Sequence, residues 1–128
     1  MTTDERTLRE LMTPRPKTIG REQTLAKAKA TMTELGVRHL PVLHGGRIEG
    51  ILSSRDIALL ERLPRVDSEV MTVEEAMSGE PYVVAPDAKL RDVARTMAEH
   101  KYGAVVVMDG PEVVGIFTTI DALRLLAG

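Results

Sequence analysis

The strongest constraint on this chain is that it repeats itself. Displaced by 65 residues, the sequence aligns with itself without a gap: Met12 falls on Met77, Pro16 on Pro81, Leu25 on Leu90 and Met32 on Met97. Glu34 falls on Glu99, Val42 on Val107, Gly45 on Gly110, Gly50-Ile51 on Gly115-Ile116, and Asp56 on Asp121. The register holds over residues 8–60 and again over 73–125. A unit of this length exceeds the short solenoid periods. Two copies imply a pseudo-symmetric pair, each burying its apolar face against the other like a two-fold dimer fused into one chain. The stretch from Glu61 to Thr72, which contains Pro64, reads as the connection. The organisation expected is a first repeat over 1–62, a linker over 63–72 and a second repeat over 73–128.

Each half has the same local pattern. A short extended piece follows a proline: Lys17-Thr18-Ile19 after Pro16, and Tyr82-Val83-Val84 after Pro81. Leu25, Ala28, Met32 and Leu35 then recur at helical spacing, as do Leu90, Val93, Ala94 and Met97. Two strands joined by a tight turn come next, His39 to Leu43 with Arg47 to Leu52, and Gly103 to Met108 with Glu112 to Thr118. Gly45-Gly46 and Asp109-Gly110 are the expected turns, since two turn-prone residues between apolar runs signal a hairpin. Ala104 to Met108 barely alternates, so that strand is expected to be buried on both faces. Helices over 54–62 and 119–127 close the halves. The fold class is α/β, two β-α-β-β-α repeats packed with pseudo-two-fold symmetry.

Composition narrows the functions. At 128 residues the chain is long enough to bury a core. A net charge of −2 argues against a general nucleic-acid binder, which carries a basic surplus or stripe. Tyr82, Tyr102 and Phe117 are the only aromatic residues, too few for a single-strand stacking platform. The absence of cysteine excludes disulfides, thiolate metal sites and a cysteine nucleophile, and fits a cytoplasmic protein. Residues 1–6 contain no apolar run of the secretory kind. Gly103 to Met108 is far too short to cross a bilayer. His39, His44 and His100 lack chelating spacing, so no metal site is expected. Met12, Met32, Met77 and Met97 read as core or interface filler.

Two segments carry the chemistry, Gly50-Ile51-Leu52-Ser53-Ser54-Arg55-Asp56 and Gly115-Ile116-Phe117-Thr118-Thr119-Ile120-Asp121. Both have the form Gly-x-x-Ser/Thr-x-x-Asp, at the point where a strand ends and a helix begins. One reading is structural: Ser or Thr followed three residues later by an acid is a capping box. The other is functional. A helix N-terminus offers unpaired N–H groups to anions, a hydroxyl can bond a phosphate, and an ionised Asp accepts from both hydroxyls of a ribose. That combination suits a nucleoside phosphate, and both readings stay open.

The ordered set of Met-x-Pro, a Thr-bearing strand, a Leu-x-x-Ala-x-x-x-Met helix, Leu40-Pro41-Val42 and Gly-x-x-Ser/Thr-x-x-Asp resembles the CBS domain family (cystathionine-β-synthase domains). The first half matches more closely, through Arg38-His39-Leu40-Pro41-Val42-Leu43; Gly103 to Val107 in the second lacks the proline. The resemblance implies a stand-alone pair that forms a flat homodimer and senses an adenine nucleotide for a separate effector protein, with no nucleic acid or membrane partner. AMP, ADP, ATP and S-adenosylmethionine are the ligands it implies, in clefts between the repeats; no cofactor is required. Carried over by position, one ligand set is Thr18, Ile19, Val37, Arg38 and His39 with Thr118 and Asp121. The other is Val83, Tyr102, Gly103 and Ala104 with Ser53, Arg55 and Asp56. Arg38 and His39 favour the first set for phosphate, since Arg binds it through a planar fork and His adds charge when protonated. The second set has only Arg55. No catalytic residue is expected, because no nucleophile–base pair is visible by motif. The alternative is a dimeric interaction scaffold with vestigial clefts.

Overall fold

The computed structural model describes residues 5–128; residues 1–4, part of the stretch read above as lacking a leader, lie outside the description. In chain order the elements are α1 (Leu8–Leu11), β1 (Thr13–Pro14), β2 (Ile19–Gly20), α2 (Leu25–Leu35), β3 (His39–His44), β4 (Arg47–Ser53) and α3 (Ser54–Glu61). They continue as α4 (Val73–Ala76), β5 (Val83–Val84), α5 (Leu90–His100), β6 (Ala104–Asp109), β7 (Glu112–Thr118) and α6 (Thr119–Ala127). The mixed α/β class and its two repeats are as the periodicities require.

Local chemistry explains the long elements. The Thr24 side chain caps α2 by accepting from the Lys27 N–H at 3.2 Å. Gly36, at φ 67, closes that helix in the left-handed conformation. Lys101 stands in the equivalent place after α5, at φ 59. Gly45 and Gly46 both have positive φ, as a type I′ hairpin demands. The second hairpin turns on Gly110-Pro111, because Asp109 is already paired with Glu112. Gly110 has φ 60 while a proline holds φ negative, the type II′ combination, so the turn lies one residue beyond the expected Asp109-Gly110. The extended pieces are shorter than expected, two residues each.

The chain folds as two compact units that do not follow the repeat boundaries. One is Lys17–Pro81; the other joins the described residues up to Pro16 with Tyr82–Gly128. The first unit holds the sheet β2-β3-β4, with β2 parallel to β3 and β3 antiparallel to β4. Pro41 is tolerated in its central strand because β2 pairs only with Val42 and Leu43. Leu25, Ala28, Met32, Leu40, Val42, Leu52 and Ile57 form the core, joined by Val73 from α4. The second unit holds the sheet β1-β7-β6-β5. Its core is Val93, Met97, Val105, Val107 and Phe117, joined by Leu8 from α1. Ala104 to Val107 are all buried, as the non-alternating run predicts.

Each unit is therefore completed by the short segment that opens the other repeat. Thr13 and Pro14 pair with Ile116 and Gly115 of β7, and Ser78 bridges to Ile51 of β4. The motif glycines make room for this. A Cβ at Gly115 would stand 2.7 Å from Cγ of Met12 and collide with its sulfur; at Gly50 it would collide with the Ser78 carbonyl oxygen and lie 2.8 Å from the Met77 sulfur.

Candidate functional site

In each unit the Gly-x-x-Ser/Thr-x-x-Asp segment runs off the last strand into a helix, and both copies form reciprocal capping boxes. The Asp56 N–H donates to Ser53 Oγ at 3.1 Å, and the Ser53 N–H donates to Asp56 Oδ2 at 3.3 Å. In the second copy the Asp121 N–H donates to Thr118 Oγ1 at 3.2 Å, and the Thr118 N–H donates to Asp121 Oδ2 at 2.9 Å. The structural reading of the motif is thus realised. It uses only one oxygen of each carboxylate. Among the described residues, neither Asp56 Oδ1 nor Asp121 Oδ1 takes part in a hydrogen bond or ion pair. Both carboxylates are half-buried, held in place by the cap and still able to accept.

The residues before each hairpin lie beside the motif of their own repeat. The Ser54 N–H donates to the Arg38 carbonyl at 2.8 Å, and His39 stands opposite Ser53. In the other unit the Thr119 N–H donates to the Gly103 carbonyl at 3.0 Å, and Ala104 stands opposite Thr118. Thr18 is half-buried just before β2, and Ile19 is buried within it. Val37, Arg38, Arg55, Val83 and Gly103 are exposed. Arg38 and Arg55 have no ion-pair partner among the described residues. The Tyr102 ring stacks on His100 at 5.2 Å and 11°, with Tyr82 also 5.2 Å away.

Geometry within the units thus joins Arg38 to Ser54 and His39 to Ser53, and Gly103 to Thr119 and Ala104 to Thr118. The ligand sets implied by the resemblance join residues differently, each drawing on both units. Thr18, Ile19, Val37, Arg38, His39, Ser53, Arg55 and Asp56 belong to the unit Lys17–Pro81. Val83, Tyr102, Gly103, Ala104, Thr118 and Asp121 belong to the other.

Sequence reasoning missed a groove in each unit, between its two longer helices. The groove between α2 and α3 has a volume of about 410 Å³ and is lined by Lys29, Thr33, Arg38, Ser54 and Glu61 among others. Lys29 Nζ reaches Glu61 Oε1 at 2.9 Å there. The groove between α5 and α6, about 380 Å³, is lined by Ala94, Ala98, Tyr102, Thr119 and Leu123 among others. The repeat register places these residues in correspondence: Lys29 with Ala94, Thr33 with Ala98, Ala58 with Leu123. The displacement of 65 residues relates the two linings to each other but does not by itself reveal a groove. No helix of the described residues is long and apolar enough to cross a membrane.

Comparison with known proteins agrees with this architecture. The family model described as "CBS domain" matches residues 8–61 and 73–128. The CBS domain-containing protein YhcV of Bacillus subtilis is 31% identical over 114 residues, 89% of this chain and 81% of YhcV. The CBS domain pair of protein MJ0100, solved in complex with 5′-methylthioadenosine and S-adenosyl-L-methionine, superposes with a TM-score of 0.84 at 25% identity, covering 96% of this chain and 97% of the other. The structure of CBSX2 in complex with AMP superposes with a TM-score of 0.81 at 25% identity, over 94% and 96% of the two chains.

Proposed function

This chain belongs to the CBS domain family, and on that premise we propose that it is a non-catalytic regulatory module that binds an adenosine nucleotide and passes the binding signal to a separate effector protein. The observation that carries this reading is the doubled carboxylate. In both units an aspartate is fixed by its cap through Oδ2 and keeps Oδ1 for another donor. A ribose offers adjacent hydroxyl donors for such an acceptor. Two structures with the same fold, MJ0100 and CBSX2, hold adenosine ligands.

The residues proposed to hold a phosphate-bearing ligand are Thr18, Ile19, Val37, Arg38 and His39 with Thr118 and Asp121. Arg38 supports this choice because it is exposed and carries no ion pair among the described residues. Val83, Tyr102, Gly103 and Ala104 with Ser53, Arg55 and Asp56 would take a less charged adenosine compound. Their pre-hairpin positions carry no cation. A cytoplasmic homodimer completes the proposal.

A thermal-shift panel of AMP, ADP, ATP, S-adenosylmethionine and NADH tests it. A ligand at roughly 100 times Kd stabilises the protein by about 2.7 kcal/mol. Asp121→Ala removes a charged acceptor worth roughly 1.5–3 kcal/mol of binding, so calorimetry should show affinity weakened about ten- to a hundredfold. If affinity survives while stability falls by about 1 kcal/mol, the aspartate serves only its helix. The second reading, a dimeric scaffold, rests on the exposed leucines of α6, Leu123 and Leu126. It gains if no compound shifts the melting temperature at millimolar concentration.

A further inference from the structure

Among the described residues, 5–16 form the one segment whose docking surface belongs to a distant stretch of sequence and whose hinge is strained. The Leu8 N–H donates to the Ala88 carbonyl and the Arg9 N–H to the Pro86 carbonyl, both at 2.9 Å, while the Leu90 N–H donates to the Arg6 carbonyl at 2.8 Å. Leu8 is fully buried in the core of the unit Tyr82–Gly128. Thr13 and Pro14 then form the outer strand on β7, and the Arg15 N–H donates to the Val114 carbonyl at 3.0 Å. Glu5 closes the far end with an ion pair to Lys89, Oε2 to Nζ 2.7 Å. The chain leaves this unit through Pro14-Arg15-Pro16, with Arg15 at φ 47. A residue before a proline prefers an extended backbone, and a non-glycine residue at positive φ is strained. The equivalent hinge, Gly79-Glu80-Pro81, has no positive φ.

We propose that this strap exchanges between two copies of the chain, residues 5–16 of each closing the β7 edge of the other. The surface already has its complement within the chain, whose own segment fills it. A second copy's segment makes the same hydrogen bonds, the same Leu8 burial and the same fit of Met12 over Gly115. Only the hinge differs between the closed and exchanged forms. Opening it lets Arg15 relax to an extended backbone, and short strained hinges favour such exchange. The segment Val73–Ser78 lacks the strained residue and stays with its own copy. This inference is independent of ligand binding.

The wild-type protein provides the test. Natural-abundance and ¹⁵N-labelled chains are mixed in equal amounts, incubated together at high concentration, and in a parallel sample refolded together. A zero-length carbodiimide cross-link then joins Glu5 to Lys89, and mass spectrometry reads the isotopes of the joined peptides. Exchange yields mixed-label Glu5–Lys89 pairs, approaching the number of matched pairs after co-refolding. The Lys29–Glu61 pair, 2.9 Å apart within the other unit, cross-links as the matched-label control. Arg15→Gly removes the strain from the closed hinge and should lower the mixed-label share. Matched labels alone in both samples would overturn the proposal, as would a mixed-label share unchanged in Arg15→Gly.

Discussion

Gly50 and Gly115 hold equivalent positions, yet a side chain would meet different neighbours at each. At Gly50 the obstacle includes the Ser78 carbonyl, whose backbone exchanges two hydrogen bonds with Ile51 and cannot yield. At Gly115 the obstacle is the Met12 side chain, a flexible group. Alanine at either site should cost about 1–3 kcal/mol, as overpacking does. The rescue should separate them: adding Met12→Ala recovers a larger share of the loss from Gly115→Ala than adding Met77→Ala recovers of the loss from Gly50→Ala. Urea midpoints of the four variants decide it. Lys101 offers the opposite case. It holds the left-handed position that Gly36 holds in the other unit, so its Cβ is crowded there. Lys101→Gly should stabilise the protein by about 0.5–1 kcal/mol, seen as a higher urea midpoint at unchanged slope. A lower midpoint would mean that the lysine side chain contributes more than its backbone costs.

Among the elements, those with a period or a defined turn could be read from the sequence. Leu25, Ala28 and Met32 mark α2, and the glycines mark both hairpins. The capping boxes were legible because their spacing is local. The four-residue helices α1 and α4 are too short to show a period, and a two-residue strand has no alternation. Their destinations are set by tertiary packing: Leu8 fills a core built by residues 93–117, and Val73 fills one built by residues 19–57. The grooves were illegible for the same reason, since Lys29 and Glu61 lie 32 residues apart in sequence. Leu8→Ala should therefore weaken the unit it fills, not the one it precedes. The expected cost is about 2–5 kcal/mol, as for a buried leucine. Hydrogen exchange should quicken at the amides of Val105, Val107 and Phe117 and change little at Leu40, Val42 and Leu52. The reverse order would place the segment with the wrong unit.

For the whole molecule, the two units carry different outer helices on the same framework. On α6, Ile120, Leu123 and Leu126 are exposed, Leu126 at 84%. The equivalent positions on α3 are Arg55, Ala58 and Glu61. A helix apolar on its outer as well as its inner face is normally covered, and Ala94 and Ala98 beside Leu123 leave a groove that can receive leucine side chains. The proposed homodimer would then form between identical α6 faces, the isologous contact a two-fold axis produces. Leu123→Glu would place a carboxylate in that apolar contact, where an unpaired charge is costly. Sedimentation equilibrium should show a weakened dimer for Leu123→Glu and Leu126→Glu, and an unchanged one for Ala58→Glu, with each monomer still cooperatively folded. Loss of the dimer in Ala58→Glu alone would move the interface to α3. A monomeric wild type would remove the homodimer from the proposal and leave α6 as a surface for another protein.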